Sequence, residues 1–287
     1  MTRLTTAGWY SIRGDRAPAG RRVTSLRIRC ASLIGITALV GVLIALVLPA
    51  SADDLSDPRY AGLGGAYTAV VDGPFAGLAN PAGVIDAPGV HGAIGTSFSG
   101  TWGFVLGASV ATGVGPAAAW ASDGTEVQGC FAFYILPQLK IGVGISSDAE
   151  SDNERGLSFA LGGQYYARPV HFGVSVRNLG AAIFGGTAPA SGHLGVALDV
   201  LPGITVIGDI GIIPTGSEVA VGGEASFGYV DFRWGVAVHL SGGFIRAGLG
   251  VSGRLFGAKI ALSGGLDGAE HRPFFSLGIQ ADIPAWW

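Results

Sequence analysis

Charge is scarce in this chain. Only 13% of its 287 residues are Asp, Glu, Lys or Arg, while 49% are hydrophobic and the mean hydropathy is +0.49. Soluble domains carry about 25% charged residues, so an ordinary water-facing surface is excluded. Cysteine is nearly absent: Cys30 and Cys130 are the two. That excludes a disulfide framework and a cysteine metal cluster. No G-x-S-x-G is present, and although Ser175 and His171 share a face, no nucleophile motif surrounds them. A non-enzymatic protein without cofactor or metal is expected.

Basic residues are confined to one end. Seven of the 17 lie at Arg3, Arg13, Arg16, Arg21, Arg22, Arg27 and Arg29, against the single acid Asp15. An uncharged run from Cys30 to Ala52 follows and closes on Ala50-Ser51-Ala52. Basic leader, apolar run and small-residue site are the order of a secretory signal, so residues 1–52 are expected to be a cleaved leader. The remaining chain holds ten basic and nineteen acidic residues, a net of −9. With no basic patch left, a nucleic-acid partner is excluded.

What is abundant is glycine, 50 residues of it, and a two-residue period. Val170, Phe172, Val174 and Val176 alternate with His171, Gly173, Ser175 and Arg177. Leu139, Ile141, Val143 and Ile145 alternate with Lys140, Gly142, Gly144 and Ser146. Val230, Phe232, Trp234, Val236 and Val238 alternate with Asp231, Arg233, Gly235, Ala237 and His239. Such alternation marks strands with one apolar face. Ala87 to Ser122 lacks any charged residue, but each interior Gly costs a helix about 1 kcal/mol and Pro116 about 3, so hairpins are favoured there too.

Fourteen strands are predicted, at 89–98, 102–111, 115–121, 126–136, 138–147, 155–166, 169–178, 191–200, 203–212, 217–227, 229–239, 244–253, 256–265 and 273–283. Longer connections, including Ser147–Glu154, Asn178–Ala190, Ile213–Gly216 and Leu266–Arg272, follow odd strands. Very short ones, such as Pro137, Leu201-Pro202 and Gly228, follow even strands. Long loops on one side and tight turns on the other are the pattern of an outer-membrane barrel. The fold expected is all-β, a transmembrane antiparallel β-barrel of about 14 strands over residues 89–287. Residues 53–88 form an N-terminal hatch-like segment in or against its lumen.

Charges cannot face lipid cheaply, so the polar face is assigned to the lumen. Its candidate lining is His171, Arg177, His193, Asp199, Asp209, Glu218, Glu224, Asp231, Arg233, His239, Arg246 and Lys259. These residues either pair with one another or form a selectivity lining. The alternating acids Asp148, Glu150, Asp152 and Glu154 have the oxygen ligands of a Ca²⁺ site but lack its Gly turn, and a solvated loop is expected.

The stretch Tyr60 to Val84, YAGLGGAYTAVVDGPFAGLANPAGV, is neither strand nor helix by pattern. Its residues Gly62, Gly64, Gly65, Ala66, Ala69, Asp72, Asn80, Pro81, Ala82 and Gly83 resemble the N-terminal signature of the FadL-type outer-membrane transporters and the related PorV/PorQ family. Gly73 departs from it, standing where the family commonly has a second acid. The resemblance implies a monomeric fourteen-stranded barrel in the outer membrane of a bacterium with two membranes. Its partners would be the lipid bilayer and the barrel-assembly machinery, which reads a C-terminal aromatic such as Trp287. The implied function is passage of small, hydrophobic molecules, gated by the hatch. The alternative is a PorV-like docking barrel in protein secretion or surface assembly.

Overall fold

A computed structural model describes residues 57–86, 89–98, 102–111, 117–122, 126–149, 155–180, 189–213, 216–240, 245–255, 257–268 and 272–283. The expected leader, most of the acidic loop and the C-terminal Pro284–Trp287 lie outside them.

Fourteen strands close on themselves. They are β1 (Gly89–Phe98), β2 (Trp102–Ala111), β3 (Ala117–Ser122), β4 (Glu126–Leu136), β5 (Leu139–Ala149), β6 (Arg155–Ala167) and β7 (Val170–Leu179), followed by β8 (Ser191–Leu201), β9 (Ile204–Ile213), β10 (Gly216–Phe227), β11 (Val230–His239), β12 (Ile245–Leu255), β13 (Ala258–Asp267) and β14 (Arg272–Ile283). Each pairs antiparallel with its sequence neighbours, and β1 meets β14 in register from Val90↔Ile283 to Phe98↔Phe275. Closure leaves no unpaired sheet edge. The glycine-rich stretch before Ser122 is built from β1, β2 and β3, as its composition requires.

The connections after β4, β6, β8, β10 and β12 are two residues each. Gly203 and Gly228 hold positive φ values of 78° and 66° in two of these turns, a conformation that costs glycine nothing. The opposite end differs in one place from expectation. Strands β9 and β10 extend to Ile213 and from Gly216, so only two residues separate them, as many as follow the even-numbered strands.

The two faces are chemically opposite. Phe172, Val174, Phe232, Trp234 and Val236 point outward, 40–51% exposed. Ser175, Arg233 and Ala237, on the same strands, are 1–2% exposed and point inward. No helix among the described residues is long and apolar enough to cross a membrane.

Candidate functional site: the occupied lumen

Residues 57–86 lie against the inward faces of the strands. Pro58–Gly62 forms a short helix, α1, that Asp57 caps through a 2.9 Å bond from the Arg59 amide. Ala76–Ala79 forms α2, and a 3₁₀ turn spans Pro81–Asp86. Between α1 and α2 the chain folds in turns, with no strand at Ala66–Val71. Leu63, Ala66, Val71, Ala76, Val84 and Ile85 are 0–1% exposed and share one apolar cluster with wall alanines such as Ala132, Ala197 and Ala237.

The conspicuous glycines and the Asn-Pro pair have local reasons. Gly64 and Gly65 take φ of 61° and 96°, which side chains resist. A Cβ on Gly83 would lie 2.3 Å from the Val71 carbonyl oxygen. Gly73, the departure from the family signature, has φ of 79°, so an acid there would be strained. Asn80 is fully buried. Its Nδ2 donates to the carbonyls of Thr68 at 3.0 Å and Gly163 at 3.3 Å, and its Oδ1 accepts from the Ala82 amide at 3.1 Å. It ties two parts of the segment to β6. Asn80→Ala is expected to cost about 2 kcal/mol by stranding these buried groups, read as a lower urea midpoint of the detergent-solubilised barrel.

The wall accommodates this segment by omission. Wall glycines Gly142, Gly162, Gly173, Gly195, Gly235 and Gly248 come from β5, β6, β7, β8, β11 and β12. A Cβ at any of them would come within 1.8–2.8 Å of the segment. Polar groups fill the remaining wall positions. Asp209 accepts the Thr68 amide at 2.8 Å, Gln164 donates to the Val71 carbonyl at 3.1 Å, and Ser175 donates to the Ala79 carbonyl at 2.5 Å.

Charged contacts add two ties. Arg59 reaches Asp72 at 2.7 Å and grips Glu224 of β10 with both Nε and Nη2, at 3.2 and 3.3 Å. Burial alone depresses the Arg59 pKa, but Asp72 and Glu224 outweigh it and hold the guanidinium well above its ordinary value. Lys140 of β5 pairs with Asp86. Burial raises the Asp86 carboxyl above its usual range while Lys140 works against that shift.

The structure sorts the predicted lumen residues into pairs. His171 meets Asp199 at 3.1 Å, His193 meets Asp209 at 3.6 Å and His239 meets Glu218 at 3.3 Å. Arg246 meets Asp267 at 3.6 Å. Arg233 bridges Glu224 at 2.5 Å and Asp231 at 3.2 Å, and Lys259 joins Asp231 at 3.6 Å. Arg177 is half-buried near the end of β7. Sequence reasoning missed Arg59 and Asp86 as members of this set. A lone basic residue just ahead of an apolar, glycine-rich segment was the available signal, since such a charge needs a partner once enclosed.

A cleft of about 400 Å³ lies between the segment and the wall, at the end with the tight turns. Ala69, Val70, Tyr134, Tyr166 and Ile207 supply apolar surface, and Asp72, Asp86, Lys140 and His171 supply polar groups. Among the described residues no group of His, Cys, Asp and Glu is arranged to hold a metal.

The geometry thus defines a closed fourteen-stranded antiparallel barrel, apolar outside, with its own N-terminal segment in its lumen. No protein-family model and no curated protein matches the sequence. Among solved structures, a triple mutant of the Rhodopseudomonas blastica porin aligns at 11% identity and a TM-score of 0.46, covering 68% of this chain and 99% of that one. Another engineered form of the same porin aligns at 12% identity with a TM-score of 0.47 over 68% and 99% of the two chains. Likeness at this level is too slight to carry a function.

Proposed function

We propose that this chain is a bacterial outer-membrane barrel through which small hydrophobic molecules pass, with the 57–86 segment restricting the opening. The observation that carries this reading is a closed barrel whose outward face is apolar and whose lumen holds the chain's own segment with a cleft beside it. An apolar exterior with paired charges inside is stable in a bilayer and unfavourable in water. The cleft's size falls within the range of small-ligand sites, about 300–1,000 Å³. Its tyrosine and aliphatic surface, set beside charges that already have partners, suits a molecule that is mostly apolar.

The test is influx of the apolar dye 1-N-phenylnaphthylamine into intact cells of a two-membrane host. Cells producing the chain in their outer-membrane fraction are expected to take up dye several-fold faster than cells without it. Recovery of the chain in the inner membrane, or unchanged influx with the barrel correctly placed, would refute the proposal. The docking role predicts the latter result together with a stoichiometric protein partner after mild detergent extraction.

A further inference from the structure

A segment inside a barrel can restrict passage in two ways. It can swing away, or it can stay and leave a path beside it. We propose that the 57–86 segment remains seated while solute moves, and that the path runs beside it through the cleft facing β4–β9. The inference rests on the passage reading above.

Three observations support a fixed seat. First, the contact with the wall is backbone on backbone. At Gly142, Gly173, Gly235 and Gly248 the nearest segment atoms are main-chain atoms of Pro81, Thr68, Leu63 and Ala61. Side chains swap rotamers readily, but main chain fitted this closely has no small displacement available, because close-packed interiors switch between discrete arrangements. Second, buried polar groups of the segment take partners from separate strands. The Thr68 amide uses Asp209 on β9, the Val71 carbonyl uses Gln164 on β6, and the Ala79 carbonyl uses Ser175 on β7. The Pro58 carbonyl accepts from Ser263 on β13. Leaving the seat would strand all of them together. Third, Leu63, Ala66, Val71, Ala76, Val84 and Ile85 of the segment share one cluster with inward wall alanines, so displacement would open that cluster to water.

The cleft needs no such displacement. It already exists between Ala69 and Val70 of the segment and Tyr134, Tyr166 and Ile207 of the wall. Val70 is half-buried at its edge.

The structure offers a lock made by one substitution. A Cβ on Gly77, in α2, would stand 2.9 Å from the Cys130 sulfur and 3.9 Å from its Cβ on β4. Disulfide-linked Cβ atoms lie about 3.5–4.5 Å apart. Gly77→Cys, in a Cys30→Ser background, therefore tethers the segment to the wall under oxidising conditions. Dye influx through the oxidised form is expected to equal that of the reduced form and of the parent within twofold, whereas Val70→Trp, which fills the cleft, is expected to cut it at least fivefold. Loss of influx on oxidation with recovery on reduction would overturn the fixed seat. Full influx in Val70→Trp would overturn the route.

Hydrogen exchange decides the seat without any flux measurement. The Thr68 and Ala82 amides of the detergent-solubilised chain are expected to exchange as slowly as those of β6 and β11. Fast exchange across residues 60–85 overturns the seat even if dye passes. A parent barrel that passes no dye removes the passage reading and the route with it, while slow exchange in that barrel would still uphold the seat.

Discussion

Val174→Arg is expected to block insertion of the barrel. Val174 lies at the middle of β7, points outward at 49% exposure, and neighbours Gly163 on β6 and Leu194 on β8. Arg at mid-depth on a lipid-facing strand costs about 2–4 kcal/mol, falling to about 0–1 near the membrane interfaces. Phe172 has the same orientation but sits close to the tight turn, so Arg there should cost less. The matched inward change is Thr205→Arg. Thr205 lines the cleft and donates to Asp199 at 2.8 Å, so a new guanidinium meets an acid in an aqueous space and should cost under about 1 kcal/mol. Folding into lipid vesicles, followed by heat-modifiable gel mobility, separates the two. Equal damage from both would mean that the outward face does not meet lipid.

Position on the inward face is not sufficient for tolerance. Ser175 alternates with Val174 and faces the lumen, which by period alone would make Ser175→Arg benign. The structure corrects that expectation. Ser175 is 1% exposed and its hydroxyl is bonded to the Ala79 carbonyl. An Arg there must expel part of the segment, and overpacking of this kind commonly costs about 1–3 kcal/mol or more.

Deleting residues 60–84 is expected to give a barrel that conducts ions several-fold more than the parent in planar bilayers. Fourteen strands enclose a lumen between the side-chain-filled barrels of eight strands and the open porins of sixteen to eighteen. The wall opposite the segment is largely glycine, alanine and serine, so nothing of the barrel's own would fill the vacated space. The deletion also removes Leu63, Val71, Val84 and Ile85, all buried in the shared apolar cluster, so the variant should unfold at lower denaturant while keeping its strand ladder. A deletion variant that inserts normally and conducts no more than the parent would show that the segment is not what closes the lumen.

Much of this architecture is legible in the residue order because a barrel strand is a local pattern. Leu139 to Ser146 alternates apolar and small or polar residues, and the structure turns Val143 and Ile145 outward and Lys140 and Ser146 inward. Turn positions were legible to within a residue or two, through Pro202-Gly203 and Gly228, because the backbone there needs special dihedrals. The strand ends were not. Strand β5 runs on to Ala149 and β13 to Asp267, since ladder hydrogen bonds with β6 and β14 extend strands beyond the point where alternation fades.

The sequence by itself determined the fold class, the strand order, the facing of side chains along the described strands and the inward placement of their charges. All of these follow from a period of two and from the cost of exposing charge to an apolar surrounding. Only the tertiary structure decided which charges meet. Glu224 takes Arg59 from 165 positions earlier in the chain as well as Arg233 from the next strand, and no pattern along β10 distinguishes those partners. Only the tertiary structure, too, gave the wall glycines their purpose. Gly142, Gly173 and Gly235 read along the chain as the small members of an alternating pair. They are small because another part of the chain lies against them, and van der Waals exclusion between residues so far apart in sequence leaves no local trace.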